Sequence, residues 1–554
     1  MATLAALEYH PDGYDTGRER LMGRHAAGEG LLKAWVRYAA PDRMVAWTQS
    51  ESFLKDCETR VKAMGWDGPV VATNVLQPQA LMESGCLMLA GPGVSDAAWT
   101  RRWVGDAAWS AVGITHTTAT HRVMNVITEM ARAPVQPWDA LICTSHAVKA
   151  MVETTFDAEQ SHLRDRFGAG IVIPRPNLKV IPLGVHGDDF AHQPEARQRQ
   201  RAALGIPDGE PAVLVMGRLS TTAKAHPFPL YRALELAAKQ YGRPVHLILA
   251  GWYADDKQEE IYRGGAEALM PSVKLHVVDG RDPVIRREIW SAPDVFALLV
   301  DNIQETFGLA PVEAMAAGLP VVVTDWDGFK DTVVHGQHGY RIPTIQAPPG
   351  TGLPFAQRHD LGLESYDAYV GGAAMGAAFD VAAAAEAFAA LFREPALRRK
   401  LGEQGRAHML ANLDWKPVIA RYLDLFAELN AQRRAAIARG GLTAKAPPNR
   451  QDPYHLFAGY PTSVLTEATR LVRGPLPTSA ATLLSLQGAA VNPRHLPNAA
   501  SLDAVAARVP EGRPILVGEL LAGVEARNRA AVLRGIAFLV KYGVLGLADR
   551  AVKP

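Results

Sequence analysis

Cysteine is scarce: Cys57, Cys86 and Cys143 are the three in 554 residues. Their scatter matches neither zinc-ligand spacing nor a disulfide framework, and it suits a reducing compartment with thiols in the core. No apolar run approaches the eighteen or so residues needed to cross a bilayer. Charge of one sign is not in excess, since the formal net charge is +1. A chain-wide field for nucleic acid or anionic membrane is therefore absent, and no nucleic-acid partner is expected. Met1 to Glu8 lacks a basic segment followed by an apolar one, so no signal peptide is expected. A cytoplasmic protein is expected, with any membrane contact peripheral. There is no internal repeat and no low-complexity tract.

What remains is an ordinary globular composition, 48% hydrophobic and 21% charged. Buried-type runs such as 108–115 and 140–145 alternate with helical stretches such as 123–130. That alternation predicts doubly wound parallel sheets, whose ligands sit beyond the carboxyl ends of the strands. Residues 1–185 read as a first α/β domain, opening on a strand over 4–9. Residues 186–206 read as a linker, and 207–395 as a second α/β domain. A Pro-, Gly- and Ala-rich insertion over 344–379 lies either near a site or on the surface. Residues 396–429 are helical, 430–455 read as a linker, and 456–554 form a small extension, helical and winged-helix-like. The stretch 430–554 carries 16 Lys/Arg against 7 Asp/Glu, a net +9. Such a tail suits an anionic lipid surface, a polyanionic glycan, a partner or nucleic acid, or a plain packing module.

The most informative stretch runs from Asp301 to Gly318. An apolar strand, 295–300, enters it, and Pro311 is expected to open a helix. Gly318 and Pro320 end that helix before a second strand, 321–324. Strand, glycine loop and helix N-terminus together favour an anionic ligand. Glu305 and Glu313, eight positions apart, conflict with that unless the ligand is a sugar nucleotide. Backbone N–H groups of Phe307, Gly308 and Leu309 would then take the diphosphate. The two carboxylates would accept from hydroxyls, Glu305 on the donor sugar and Glu313 on the ribose. A glycosidase-type acid/base couple is the reading that spacing alone suggests.

The motif Glu305-Thr306-Phe307-Gly308-Leu309 with Pro311 to Val322 resembles the glutamate-pair motif of retaining GT-B glycosyltransferases. Three further segments resemble the same family in order: 180–185, 213–219 followed by Lys224, and 246–251. The resemblance spans about residues 175–345. It implies two Rossmann-like domains facing a cleft. The activity implied is hexosyl transfer from a nucleoside diphosphate sugar to a glycan, lipid-linked or protein hydroxyl, with retention.

The same resemblance assigns candidate residues. Arg218 and Lys224 would hold the diphosphate and stabilise the leaving group. Gly217 and Gly251 would approach the nucleotide closely. His116 would approach the donor sugar, with His121 a nearby competitor. Arg281 falls where the family contacts the base, largely through backbone. Gly28 falls near a mobile glycine loop, here the segment from Gly13 to Gly30 with Arg18, Arg20 and Arg24. That loop suits a negatively charged acceptor or is an ordinary surface loop. Lys224 is followed by Ala225 where the family has glycine. Asp327-Gly328 stands where many relatives have a glycine pair. The last helix, opening at Asp414, would cross back onto the first domain. No Asp-x-Asp follows a strand in the manner of the other large glycosyltransferase fold, so metal-independent transfer without a cofactor is expected. A sugar-nucleotide epimerase, a phosphorylase and a sugar-nucleotide-binding module are the rival readings.

Overall fold

The computed structural model describes residues 5–15, 23–39, 41–440 and 443–549. The described chain divides into two compact units, residues 1–447 and 448–554. The first unit holds two parallel sheets. Sheet one comprises β1 Ala6–Glu8, β2 Met44–Trp47, β3 Val70–Thr73, β4 Cys86–Met88, β5 Ser110–Ile114, β6 Ala140–Cys143 and β7 Asn177–Val180. Its order is β3-β2-β1-β4-β5-β6-β7. Sheet two comprises β8 Ala212–Leu219, β9 Val245–Tyr253, β10 Val273–Asp279, β11 Val295–Leu298, β12 Val321–Thr324 and β13 Gly339–Ile342. Its order, β10-β9-β8-β11-β12-β13, has the same form. Every pairing in both sheets is parallel. Two Rossmann-like domains of this kind define a GT-B fold.

Why these strands form is plain from their burial. Val295 to Leu298 and Val321 to Thr324 are covered on both faces, as parallel strands between helices must be. Sheet order reverses between β1 and β4, and again between β8 and β11. A crevice opens at each reversal, beyond the strand ends. The first domain is pinned from inside by the Arg101–Asp139 pair, whose side chains are both fully buried. Arg101 Nη2 donates to Asp139 Oδ2 at 2.8 Å, and Asp139 also accepts from the Ala111 and Gln136 amides.

Several boundaries differ from the sequence reading. Residues 194–204 are not a free linker but the helix Pro194–Leu204. Arg197 and Arg201 on it bind Asp294 and the 291–293 carbonyls, tying it to the second domain. The expected linker at 430 starts later, because the helix Trp415–Ala438 runs through it. Asn430 and Arg433 on that helix are buried and donate to carbonyls of Ser84, Ala107 and Ala108 in the first domain. Cys57, Cys86 and Cys143 are free thiols in the core. Residues 344–379 form β14 Thr344–Gln346 and β15 Ala377–Phe379, paired antiparallel, with helices Leu353–Asp360 and Tyr366–Ala374 between them.

The second unit carries β16 Arg470–Arg473, β17 Ile515–Leu516 and β18 Leu545–Leu547 in one antiparallel sheet, order β17-β16-β18. Helices Ala499–Ala507 and Ala526–Lys541 pack on each other around Leu502, Ile536 and Leu539. Among the described residues no helix is long and apolar enough to cross a membrane.

Candidate active site

The crevice of sheet two is built by the ends of β8 and β11. After β8 comes the loop 220–226, and it is held from several sides. The Gln258 carboxamide oxygen accepts from the Thr221 amide at 2.9 Å. Asn302 donates to the Thr222 carbonyl, and Gln304 to the Ala223 carbonyl at 2.7 Å. Arg218 Nη2 donates to the same Ala223 carbonyl at 3.2 Å. So fixed, the loop presents Lys224, whose ammonium is ion-paired with Glu305. Both side chains are mostly covered, at 25% and 14% exposure.

Past Glu305 the chain turns into the helix Leu309–Ala316. Pro311 is its third residue, not the first as expected. The missing N–H costs nothing there either, since that amide has no partner inside the helix. Gly308 caps the helix at φ +83°, and a Cβ there would lie 2.0 Å from the Phe329 ring. Only glycine satisfies both constraints. The helix closes as a Schellman motif: the Leu319 amide donates to Ala314 and the Gly318 amide to Met315. Phe307 is buried beneath this turn. The amides of 307–309 thus stand at a helix N-terminus, aimed along the dipole at whatever occupies the crevice.

Glu313 lies one turn into the helix. Burial pushes its carboxyl up to about 7, with Lys224 pulling the other way. Asp301, at the end of the β11 segment, is raised to about 6 by burial. A third carboxyl escaped the sequence reading. Asp327 follows β12 with φ +40°, the sole non-glycine residue at positive φ among those described. Burial pushes it up to about 7, and Glu305 and Asp331 add to the effect. It accepts from Ser145 Oγ of the first domain at 2.8 Å. Beside it, the His146 amide donates to Asp331 Oδ2 at 2.7 Å. These contacts bring the two domains together next to Glu305. In the sequence its signal is Asp327-Gly328 standing where many members of the resembled family have a glycine pair.

The remaining candidates fall into two groups. Gly217, at φ +136°, and Gly251 face each other across β8 and β9, where a Cβ on Gly251 would lie 1.9 Å from the Gly217 carbonyl. They lie beside the Arg218 loop. His116 follows β5, its Nε2 3.0 Å from the Ala90 carbonyl. It lines a narrow cavity with Gly28, Leu183 and Trp415.

One assignment needs correction. Gly28 does not belong to a glycine loop but lies inside the helix Gly23–Tyr38. A Cβ there would lie 2.1 Å from the Gly13 carbonyl, so it is glycine for packing and its backbone is committed to the helix. The Arg281 side chain pairs with Asp279 at half exposure, its Nη2 2.7 Å from Oδ2, and the base contact that the resemblance implies is one made largely through backbone. Arg18, Arg20 and the Arg24 side chain lie outside the described residues. Among the described residues no cluster of three His, Cys, Asp or Glu is gathered as a metal site needs.

Residues 196–347 match the family described as glycosyl transferases group 1. This part of the chain is a group 1 glycosyltransferase domain. A D-inositol 3-phosphate glycosyltransferase from Nocardia farcinica is 28% identical over 201 residues, 36% of this chain and 42% of that protein. An alpha-maltose-1-phosphate synthase from Mycolicibacterium smegmatis is 24% identical over 324 residues, 56% and 74% of the two chains. The chain spans less than half the length of the first curated relatives it matches. A solved glycosyltransferase from Rickettsia africae aligns over 77% of this chain and 98% of its own, at 13% identity and a TM-score of 0.49.

Proposed function

We propose that this chain transfers a hexosyl group from a nucleoside diphosphate sugar to a hydroxyl of a glycan, lipid-linked or protein acceptor, with retention. One observation carries the reading. The Lys224–Glu305 pair, Arg218 and the helix N-terminus at 307–309 meet at the reversal point of sheet two. In this reading the diphosphate lies between Arg218, Lys224 and the amides of 307–309. An ammonium has three donors, so Lys224 can keep Glu305 while donating to a phosphate. Glu305, held in place by Lys224, accepts from donor-sugar hydroxyls, and Glu313 from the ribose.

As the sugar–phosphate bond breaks, negative charge grows on the diphosphate and positive charge on the anomeric carbon. Arg218 and Lys224 stabilise the first. The diphosphate oxygen takes the acceptor proton on the same face, which preserves configuration. In this reading His116 approaches the donor sugar from the first domain. These cations do the work a divalent metal does elsewhere, and activity is expected to survive EDTA.

The test is incubation with UDP-, GDP- and ADP-hexoses, with and without inorganic phosphate, reading nucleoside diphosphate release and product anomer. Release that depends on a hydroxyl acceptor supports the reading. Release that needs phosphate indicates a phosphorylase, and donor epimerisation without transfer an epimerase. Tight binding with no turnover indicates a binding module.

A further inference from the structure

Residues 347–376 leave the second domain between β14 and β15 and reach the first. On the way, the helix Tyr366–Ala374 packs on the donor-side loop: a Cβ on Gly371 would lie 3.0 Å from Thr222 Cγ2. At the far side the Tyr366 hydroxyl lies 3.4 Å from Thr117 Oγ1, next to His116. Asp360 Oδ1 lies 3.0 Å from His121 Nε2, at the start of the helix His121–Glu129. His359 stacks on Tyr369, ring centroids 4.8 Å apart, and reaches the His121 ring at 5.1 Å. Burial raises the Tyr366 phenol, while the Arg218 charge pulls it down. The helix that carries Tyr366 therefore runs from the donor-side loop of one domain to the histidine loop of the other.

We propose that residues 347–376 are a strap across the cleft, and that Tyr366 is the positioning residue it delivers from the donor-side loop to the His116 loop. The strap rests on geometry; the role of Tyr366 in turnover rests on the transferase reading. Its far contacts are few. The His121 and Asp360 side chains are 46% and 72% exposed, and such pairs hold weakly. That suits an element that must lift for ligands and settle again. A groove of about 740 Å³ along the helix His121–Glu129, lined by Asp96, Arg122 and Asn125, begins where the strap lands.

The test uses the full chain labelled for energy transfer at Glu58→Cys and Glu267→Cys, one exposed site per domain. The native thiols are buried and stay unlabelled. In one variant an Asn-Gly turn replaces residues 347–376, joining Gln346 to Ala377, which already face each other in the hairpin. The intact chain is expected to give one narrow high-efficiency population, and the strapless chain a broader one at lower efficiency. Identical distributions would overturn the strap.

If the strapless chain does not fold, Asp360→Ala and Tyr366→Phe decide the same question by the same readout. For the role of Tyr366, Tyr366→Phe should lower kcat about three- to tenfold on whichever donor is turned over. Thermal shifts with UDP, GDP and ADP should stay unchanged. Wild-type kcat in that variant would overturn the role. A wild-type chain that turns over no donor sinks the transferase reading and the turnover role with it, and leaves the distance measurement to judge the strap.

Discussion

Lys224 and Glu305 are 81 residues apart in the chain and form an ion pair at the carboxyl ends of the strands of sheet two. The pair joins the two loops that make the crevice. It reconciles an acidic side chain with an anion site, because the carboxylate arrives already matched by a cation. In the proposed donor site a phosphate would meet Lys224 and the helix amides before it meets Glu305.

Breaking this pair should therefore hurt twice. Lys224→Ala leaves Glu305 largely covered and unmatched, which costs about 1–3 kcal/mol of stability. Glu305→Gln keeps the shape and should cost less. Turnover should fall about 10²- to 10³-fold in Lys224→Ala, the range for losing one stabiliser of transition-state charge. Urea unfolding and donor turnover on both variants check this. Equal stability loss in both variants counts against the pairing.

A second prediction concerns pH. Glu313 and Asp327 have folded pKa values of about 7, above the values of 4.5 and 3.8 for free carboxyls. A raised carboxyl makes the folded state bind more protons than the unfolded one. Its contribution is therefore full below the unfolded pKa and is lost as pH rises to about 7. Stability should decline between about pH 4 and 7, and Glu313→Gln or Asp327→Asn should flatten the decline. At pH 8 each variant should be more stable than the parent, on the order of 1 kcal/mol. A pH profile of the melting temperature reads this directly.

How much of this was legible in the sequence follows from what each element depends on. The strands were legible because parallel strands buried on both faces are continuous apolar runs, as in Val321 to Thr324. The cap and stop of the helix Leu309–Ala316 were legible because Gly308 and Gly318 have local reasons to be glycine. Gly28 was misplaced because Gly23, Gly28 and Gly30 weaken a helix. Packing against Gly13 and Trp415 overrides that weakness. The Ser145–Asp327 bond and the Lys224–Glu305 pair join distant segments, and no local pattern announces them. The strap was illegible for a related reason: its composition is that of a surface loop, and its role lies in where it lands.

Gly308→Ala is a sharp local test. The new methyl would meet Phe329 and force a residue with a Cβ into φ +83°. A stability loss of about 1–3 kcal/mol is expected from strain of this kind. The amides of 307–309 would also shift, so nucleoside diphosphate affinity should fall together with stability. Affinity unchanged in a destabilised protein would separate this turn from the ligand.

The first domain has its own keystone. Arg101→Met strands the Asp139 carboxylate in a fully covered site. Removing one partner of such a pair costs about 3–5 kcal/mol, enough to unfold many domains. Circular dichroism melting checks it. Asp139→Asn, which retains an acceptor for the Ala111 or Gln136 amide, should be milder.

The central claim is that a nucleoside diphosphate lies at the end of β8 against Arg218 and the helix Leu309–Ala316. The most direct measurement is thermal stability of the parent chain and Arg218→Ala with UDP, GDP and ADP. At a hundredfold excess over Kd, one of the three should stabilise the parent by about 2.7 kcal/mol. Arg218→Ala, measured against its own unliganded melting temperature, should lose most of that gain. No stabilisation of the parent by any of the three, or an undiminished gain in Arg218→Ala, would contradict the account.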